Sequence, residues 1–305
     1  MTTDSAELRD LLGRLFPGLV LEGVAKASGQ RVVYFCHFLP NQDGDPTWSE
    51  WGNVVLKVSS SIDPQSIAYM QMEIEILKNL DSPHYPRMHF YEFYSEDPDT
   101  EEKLPERIFV TIETRLDAVP LGDCRDRFET EVAVINLLVK LVDALMVLWA
   151  HERKLVHRDL KPDNILIAEN SDVAIIDLGI IRETGATGVT ATHAPHGPLS
   201  CYYASPEQAM NDKRNISYKS DFFALGVIAY ELITAKNPFF QDSHDTWGMV
   251  LGRVIGFTPS RLDAAGCTKE FADVVERMMQ KEPYKRYRTP ELLRQDLVNI
   301  SGGAA

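Results

Sequence analysis

The chain has 305 residues, of which 44% are hydrophobic and 25% charged, with a formal net charge of -14. This is the composition of a soluble globular protein with one large or two modest domains. The acidic balance excludes general binding to a nucleic-acid backbone, which needs a basic surface. No apolar run is expected to span a bilayer, so no membrane anchor is expected. Residues 1–10 are polar and lack an apolar signal core, so secretion is not expected either. Four cysteines, Cys36, Cys124, Cys201 and Cys267, stand apart with no paired spacing. That spacing points away from a disulfide framework or a zinc site and toward the reducing cytoplasm.

Leu8, Leu11, Leu12, Leu15 and Phe16 recur at helical spacing behind the capping candidates Asp4 and Ser5, and Pro17-Gly18 ends the run. Residues 1–18 therefore read as an amphipathic helix that packs on the domain behind it. A homodimer contact through its apolar face is the alternative. Arg31-Val32-Val33-Tyr34-Phe35-Cys36-His37-Phe38 and Asn53-Val54-Val55-Leu56-Lys57-Val58 read as strands, with a turn over 41–46 between them. A helix follows to about Leu80, with Asp63 as its cap and Pro64 at its first position. Residues 88–94 and 107–113 are further strands, and the acidic stretch 95–106 between them reads as a solvated loop. From about residue 116 the pattern is helical, over 131–151, 221–234 and 270–279. The expectation is an α+β chain, with a small β-rich region over 19–113, a larger helical region over 114–300 and a short tail at 301–305.

The densest polar run is His157-Arg158-Asp159-Leu160-Lys161-Pro162-Asp163-Asn164. It lies between the apolar helix and a strand-like run at 165–168, which marks a fixed loop and suggests a site. Its residue types suit phosphoryl transfer, which needs a positioned nucleophile, metal ions on the phosphates and cations to offset developing charge. Asp159 is the candidate base that accepts and orients a substrate hydroxyl. Lys161, two residues on in an extended loop, would neutralise the transferring group. Asn164 offers a side-chain oxygen to Mg²⁺, a hard cation that prefers oxygen. Asp177 ends the apolar run Val173-Ala174-Ile175-Ile176 and suits a second metal ligand, and Gly179 lets the chain turn behind it. Lys57 interrupts an apolar strand, a costly placement unless it meets water or an anion. On the next helix Glu73 has Tyr69, Met70, Ile76 and Leu77 at neighbouring positions and so faces protein, whereas Glu75 mostly faces solvent. Glu73 is therefore the expected partner of Lys57.

Over about residues 20–300 the chain resembles the eukaryotic-type serine/threonine protein kinases. Residues 157–164 resemble the catalytic loop of that family and Asp177-Leu178-Gly179 its metal-binding motif, with leucine in place of phenylalanine. Ala204-Ser205-Pro206-Glu207 stands where the family has Ala-Pro-Glu, and Arg286 matches the arginine that pairs with that glutamate. Ser220-Asp221 resembles the start of the central helix of the large lobe, whose aspartate supports the catalytic-loop backbone. The resemblance implies a two-lobed fold and transfer of the γ-phosphate of ATP to serine or threonine, with Mg²⁺ or alternatively Mn²⁺. It implies protein substrates, Lys57 with Glu73 on the ATP phosphates, and a hinge for adenine at Glu113 and the residues after it. Lys161 is the serine/threonine pattern of this loop.

The glycine-rich loop of the family is degenerate here. With Val33 aligned on the family's nucleotide-contacting strand, Lys26, Ser28 and Arg31 occupy the usual glycine positions and only Gly29 is present, one residue displaced. Arg31 would then contact phosphate by charge. Residues 178–203 correspond to the activation loop, with Thr184, Thr187, Thr190, Thr192 and Ser200 as candidates for autophosphorylation and Arg158 and Arg182 as partners for the added phosphate. A nucleotide-binding scaffold without turnover and a small-molecule kinase are the alternatives.

Overall fold

The computed structural model describes residues 4–25, 31–40, 43–60, 64–178, 182–183 and 198–302, excepting the side chains of 64–66, 68–70, 72–73, 182–183 and 198–200. Outside it lie the expected positions of Lys26, Ser28, Gly29, Asp63, Gly179, Thr184, Thr187, Thr190 and Thr192, and the side chains of Glu73, Arg182 and Ser200. The chain divides into two compact units, Met1–Asp117 and Ala118–Ala305. The first is built on a sheet and the second is mainly helical, as expected for the α+β class.

The first unit begins with α1 (Ala6–Leu15), whose N-cap is Ser5: its hydroxyl accepts from the Leu8 backbone N–H at 3.2 Å. A five-stranded antiparallel sheet comes next, made of β1 (Leu19–Val24), β2 (Arg31–Phe38), β3 (Val54–Ser60), β4 (Met88–Glu96) and β5 (Lys103–Thr114) in the spatial order β1-β2-β3-β5-β4. Helix α2 (Pro64–Asn79) lies between β3 and β4 in the chain. The register pairs Val33 with Lys57, Lys57 with Thr111 and Val55 with Glu113. Because strand side chains alternate with period two, Val33, Val55, Lys57, Thr111 and Glu113 share one face, and Tyr34, Leu56 and Ile112 share the other.

Helix α1 covers that second face. Leu8, Leu11, Leu12 and Phe16 join Val32, Tyr34, Phe38, Leu56 and Ile112 in one buried cluster. The Phe16 ring lies 5.4 Å from those of Trp48 and Phe90. At about 1.5–3 kcal/mol for each large apolar side chain buried, the helix is an integral part of this unit. The apolar face expected of residues 1–18 is thus spent inside the unit's own core. The acidic stretch expected as a solvated loop is different. β4 continues to Glu96 and β5 starts at Lys103, so only a tight turn remains. Asp97 of that turn accepts from Arg14 of α1 at 2.7 Å.

The second unit contains a three-stranded sheet of β6 (Ala118–Pro120), β8 (Ile165–Ala168) and β9 (Val173–Ile175), and a two-stranded pair of β7 (Leu155–Val156) with β10 (Arg182–Glu183). Its helices are α3 (Glu131–Trp149), α4 (Pro206–Ala209), α5 (Tyr218–Thr234), α6 (Trp247–Gly256), α7 (Lys269–Met278) and α8 (Pro290–Gly302). Contrary to the sequence expectation, α3 has the length and composition to cross a bilayer. Ten of its residues, from Val134 to Trp149, are buried within the unit, as in a core helix. Helix α5 packs closely on the end of α7: a Cβ added at Gly226 would come within 2.6 Å of the Met279 side chain.

The seating of α1 has a pH dependence. Asp4 accepts from Arg9 at 2.6 Å and 2.8 Å and from the Tyr34 hydroxyl at 2.7 Å. The Arg9 hydrogen bonds, then that of Tyr34, hold its carboxyl at about 2, below the ordinary 3.8. A depressed folded-state value means that the stabilising contribution is complete above 3.8 and is lost as pH falls through about 2. Urea unfolding of the parent chain and of Asp4→Asn should therefore differ most near neutral pH, with the gap closing as the pH approaches that lower value.

Candidate active site

Residues 157–164 join β7 to β8, and the short turn Pro162–Asn164 delivers the chain into β8. Two features fix the start of this loop. Arg158 has φ 72°, in the left-handed region, where a non-glycine residue costs about 1–3 kcal/mol and must be held by its surroundings. The hold comes from Asp221 in the first turn of α5. Its Oδ2 accepts from the His157 N–H at 3.0 Å and from Trp149 Nε1 at 2.9 Å, and its Oδ1 accepts from the Arg158 N–H at 2.9 Å. Asp221 is fully buried. Burial pushes its carboxyl up, and the N–H donors from Arg158, Trp149 and His157 oppose that push. His157 is likewise buried, with Nδ1 3.3 Å from the Asp159 N–H and Nε2 3.3 Å from the Ile176 carbonyl. Both contacts suit one tautomer, with the ring proton on Nε2.

The loop gathers three of the expected residues. Lys161 Nζ donates to Asp159 Oδ2 at 3.0 Å, with the two side chains only 16% and 11% exposed. Asn164 Nδ2 donates to the Asp159 carbonyl at 2.9 Å and to Asp159 Oδ2 at 3.2 Å. With its amide nitrogen turned to Asp159, the atom that Asn164 offers a cation is Oδ1. The β8–β9 register pairs Ile165 with Ile175, and the Ile176 N–H donates to the Asn164 carbonyl at 3.0 Å. Asp177 comes immediately after, with φ 65°. Asn164 and Asp177 are therefore set at the same end of one hairpin. They supply an amide oxygen and a carboxylate, the hard donors that Mg²⁺ takes.

In the first unit Lys57 stands on β3, and Val33 is its partner in register on β2. Lys57 forms an ion pair with Glu113 on β5: Nζ lies 2.9 Å from Oε2, and the side chains are 14% and 4% exposed. The resemblance places Glu113 beside adenine. Its carboxylate reaches the lysine from the same sheet. Local sequence carries no signal for this contact, because it depends on the register between β3 and β5.

Helix α4 is tied back to the loop. Ser205 and Gln208 form a capping box on α4, and Gln208 Nε2 donates to the Arg158 carbonyl at 2.7 Å. Glu207 and Arg286 form a bidentate pair at 2.7 Å and 2.8 Å, both essentially buried. Ser220 adds a hydrogen bond to Glu207 at 2.7 Å, and the guanidinium also donates to the carbonyls of Gln280, Lys219 and Lys281. A buried ion pair of this kind is tolerable because its hydrogen-bonding capacity is filled. The contribution of Gln208 is absent from the sequence reading; its one signal is the spacing of Ser205 and Gln208, a capping box.

Residues 53–298 match the family model described as the protein kinase domain. Similar curated proteins include the serine/threonine-protein kinase PknB of Mycolicibacterium smegmatis, 36% identical over 166 residues, 54% of this chain and 26% of that protein. PknB of Mycobacterium tuberculosis is 34% identical over 164 residues, 53% of this chain and 26% of its own. PrkC of Bacillus subtilis is 32% identical over 164 residues, 53% of this chain and 24% of its own. The chain thus spans about a quarter of the length of these relatives.

Replacing Asp221 by Asn leaves the shape unchanged but turns one acceptor into a donor facing backbone N–H groups. Equilibrium urea unfolding of Asp221→Asn should show a loss of about 2–3 kcal/mol. Hydrogen exchange should rise at whichever of the His157 and Arg158 amides faces the new NH2 group, since that amide loses its acceptor.

Proposed function

Because the chain belongs to the protein kinase family, we propose that it transfers the γ-phosphate of ATP to serine or threonine hydroxyls of protein substrates. The observation that carries this reading is the Asp159 carboxylate, held by Lys161 at 3.0 Å and Asn164 at 3.2 Å on a loop anchored through Asp221. The names of the relatives, all serine/threonine-protein kinases, support the substrate class.

In this reading Asp159 receives the hydrogen bond of the substrate hydroxyl and takes its proton as the oxygen attacks phosphorus. The new O–P bond forms as the bond between phosphorus and the β–γ bridging oxygen breaks, and ADP leaves. Lys161, already beside Asp159, places a positive charge where the transferring group carries negative charge. Lys57 binds the phosphates of the nucleotide. Asn164 Oδ1 and the Asp177 carboxylate would hold Mg²⁺, and Mn²⁺ suits the same oxygen donors. The metal, when bound, neutralises charge on the phosphates.

The proposed partner is a protein substrate. The net charge of -14 supports leaving nucleic acid out of the reading. A cytoplasmic site of action is supported by four cysteines that are all free thiols. Autophosphorylation within 178–203 is part of the proposal, with Arg158 as the partner of the added phosphate.

The test is incubation of the full chain with labelled ATP, Mg²⁺ and a generic protein substrate. Label should appear on serine or threonine of the substrate or of the chain itself. Asp159→Ala should lower the rate by roughly 10²–10⁴-fold, the range for loss of a general base. Asp177→Asn should abolish metal-dependent transfer. Nucleotide binding with no transfer by the parent chain would overturn the reading in favour of a scaffold, and transfer undiminished in Asp159→Ala would remove the assigned base.

A further inference from the structure

The pairing of Lys57 with Glu113 has chemical consequences. Both residues stand on strands flanked on each side by another strand, since the order is β1-β2-β3-β5-β4. Glu113 is held in register with Val55 on one side and Met88 on the other. Its position is therefore set by sheet hydrogen bonds. The reverse face at this level is closed by Leu56 and Ile112 under α1, all buried. The carboxylate is 4% exposed and lies 2.9 Å from the ammonium. A charge so placed is costly without an opposite charge at hydrogen-bond distance, and Lys57 supplies one.

We propose that Glu113 is a positioning residue for Lys57, fixing the ammonium on the sheet so that it meets the phosphates of ATP. This rests on the kinase reading for the role of Lys57 and reassigns Glu113 from the adenine ring to the phosphate end of the nucleotide. An ammonium carries three donors, so it serves a carboxylate oxygen and phosphate oxygens together. A lysine stem is long and flexible, and a fixed carboxylate reduces the freedom that must be lost when phosphate binds. The proposal has a consequence for control of activity. A lysine held from β5 keeps its geometry wherever the side chain of Glu73 lies, so α2 is not the only element on which nucleotide binding depends.

The experiment measures nucleotide binding, which is independent of turnover. Calorimetric titration of the full chain, with Mg²⁺ present, compares ATP and adenosine in the parent, Glu113→Gln, Glu113→Leu and Glu73→Ala. Loss of a charge-assisted contact should weaken ATP binding by about tenfold in Glu113→Leu. Glu113→Gln, whose amide oxygen still accepts from the ammonium, should recover part of that loss. Adenosine, which has no phosphate, should bind within about twofold of the parent in both, because Lys57 acts by charge on phosphate. Glu73→Ala should weaken ATP less than Glu113→Leu does.

Three results would overturn the proposal: ATP binding unchanged or tighter in both Glu113 variants, equal weakening of ATP and adenosine, or a larger effect from Glu73→Ala. Should Glu113→Leu fail to fold, Glu113→Gln decides by the same ATP-to-adenosine comparison. A parent chain that binds ATP without transferring phosphate defeats the kinase reading and leaves the Glu113 comparison decisive on its own. A parent chain that binds no ATP defeats both.

Discussion

Asp221 fixes the backbone of the loop that carries Asp159, Lys161 and Asn164. It is a buried carboxylate at the start of α5, and both its oxygens are committed to N–H donors from Trp149, His157 and Arg158. These contacts join the end of α3, the loop after β7 and the first turn of α5. Arg158 sits in the left-handed region, and such a conformation persists only where neighbours over-determine it. Asp221 takes its N–H, and Gln208 of α4 takes its carbonyl at 2.7 Å. The residue immediately before Asp159 is thus gripped through both its amide and its carbonyl. Asp159 inherits its direction from that grip.

The second grip links the loop to helix α4. Gln208 reaches Arg158 only because α4 is fixed, and α4 is fixed by its neighbour Glu207 in the buried pair with Arg286. Arg286 in turn donates to Lys219, two residues before Asp221. The two anchors therefore share α5: one carboxylate on it holds the loop, and a carbonyl on it helps to hold the arginine. A disturbance at Arg286 has a short hydrogen-bonded route to the backbone beside Asp159. The energetic weight of that route lies in leaving a buried charge unpaired, which costs about 3–5 kcal/mol, more than the net worth of an intact pair.

Parts of this arrangement are legible in the sequence because they are local. Residues 157–164 present the Asp159 carboxylate, Lys161 and the Asn164 amide in one contiguous run, and the amphipathic spacing of Leu8, Leu11, Leu12 and Phe16 marks a helix that does pack on its own unit. Other parts are hidden for identifiable reasons. Lys103–Arg107 of β5 are mostly exposed and charged, so they carry no apolar alternation and resemble a loop. Helix α6 places glycine at 248, 252 and 256, and each glycine weakens the helix signal by about 1 kcal/mol. The hairpin that sets Asn164 and Asp177 at one end, and the diagonal that joins Lys57 to Glu113, are matters of strand register. Register is decided by which residues pair across strands, and no single segment contains that information.

The sheet of the first unit also shows how a chain of net charge -14 carries a lysine on a sheet face. Its two faces differ in kind. The face under α1 carries the buried apolar cluster of Val32, Tyr34, Phe38, Leu56 and Ile112, and the other bears Lys57 with Glu113. A second polar group involves residues beside it: Glu22 pairs with His37 at 2.8 Å and with Arg115 at 2.7 Å, and the Arg115 guanidinium lies 4.6 Å from the Phe35 ring centroid. Charge is thus neutralised locally, residue against residue, and the overall -14 says little about what a phosphate meets there. Exposed charges beyond about 10 Å are screened at moderate ionic strength, whereas a pair as buried as Lys57 with Glu113 is screened much less. Under the proposed role of Lys57, what a phosphate gains is set by how many donors of one ammonium it shares with one carboxylate. That balance is fixed by the 2.9 Å contact and the sheet register that imposes it.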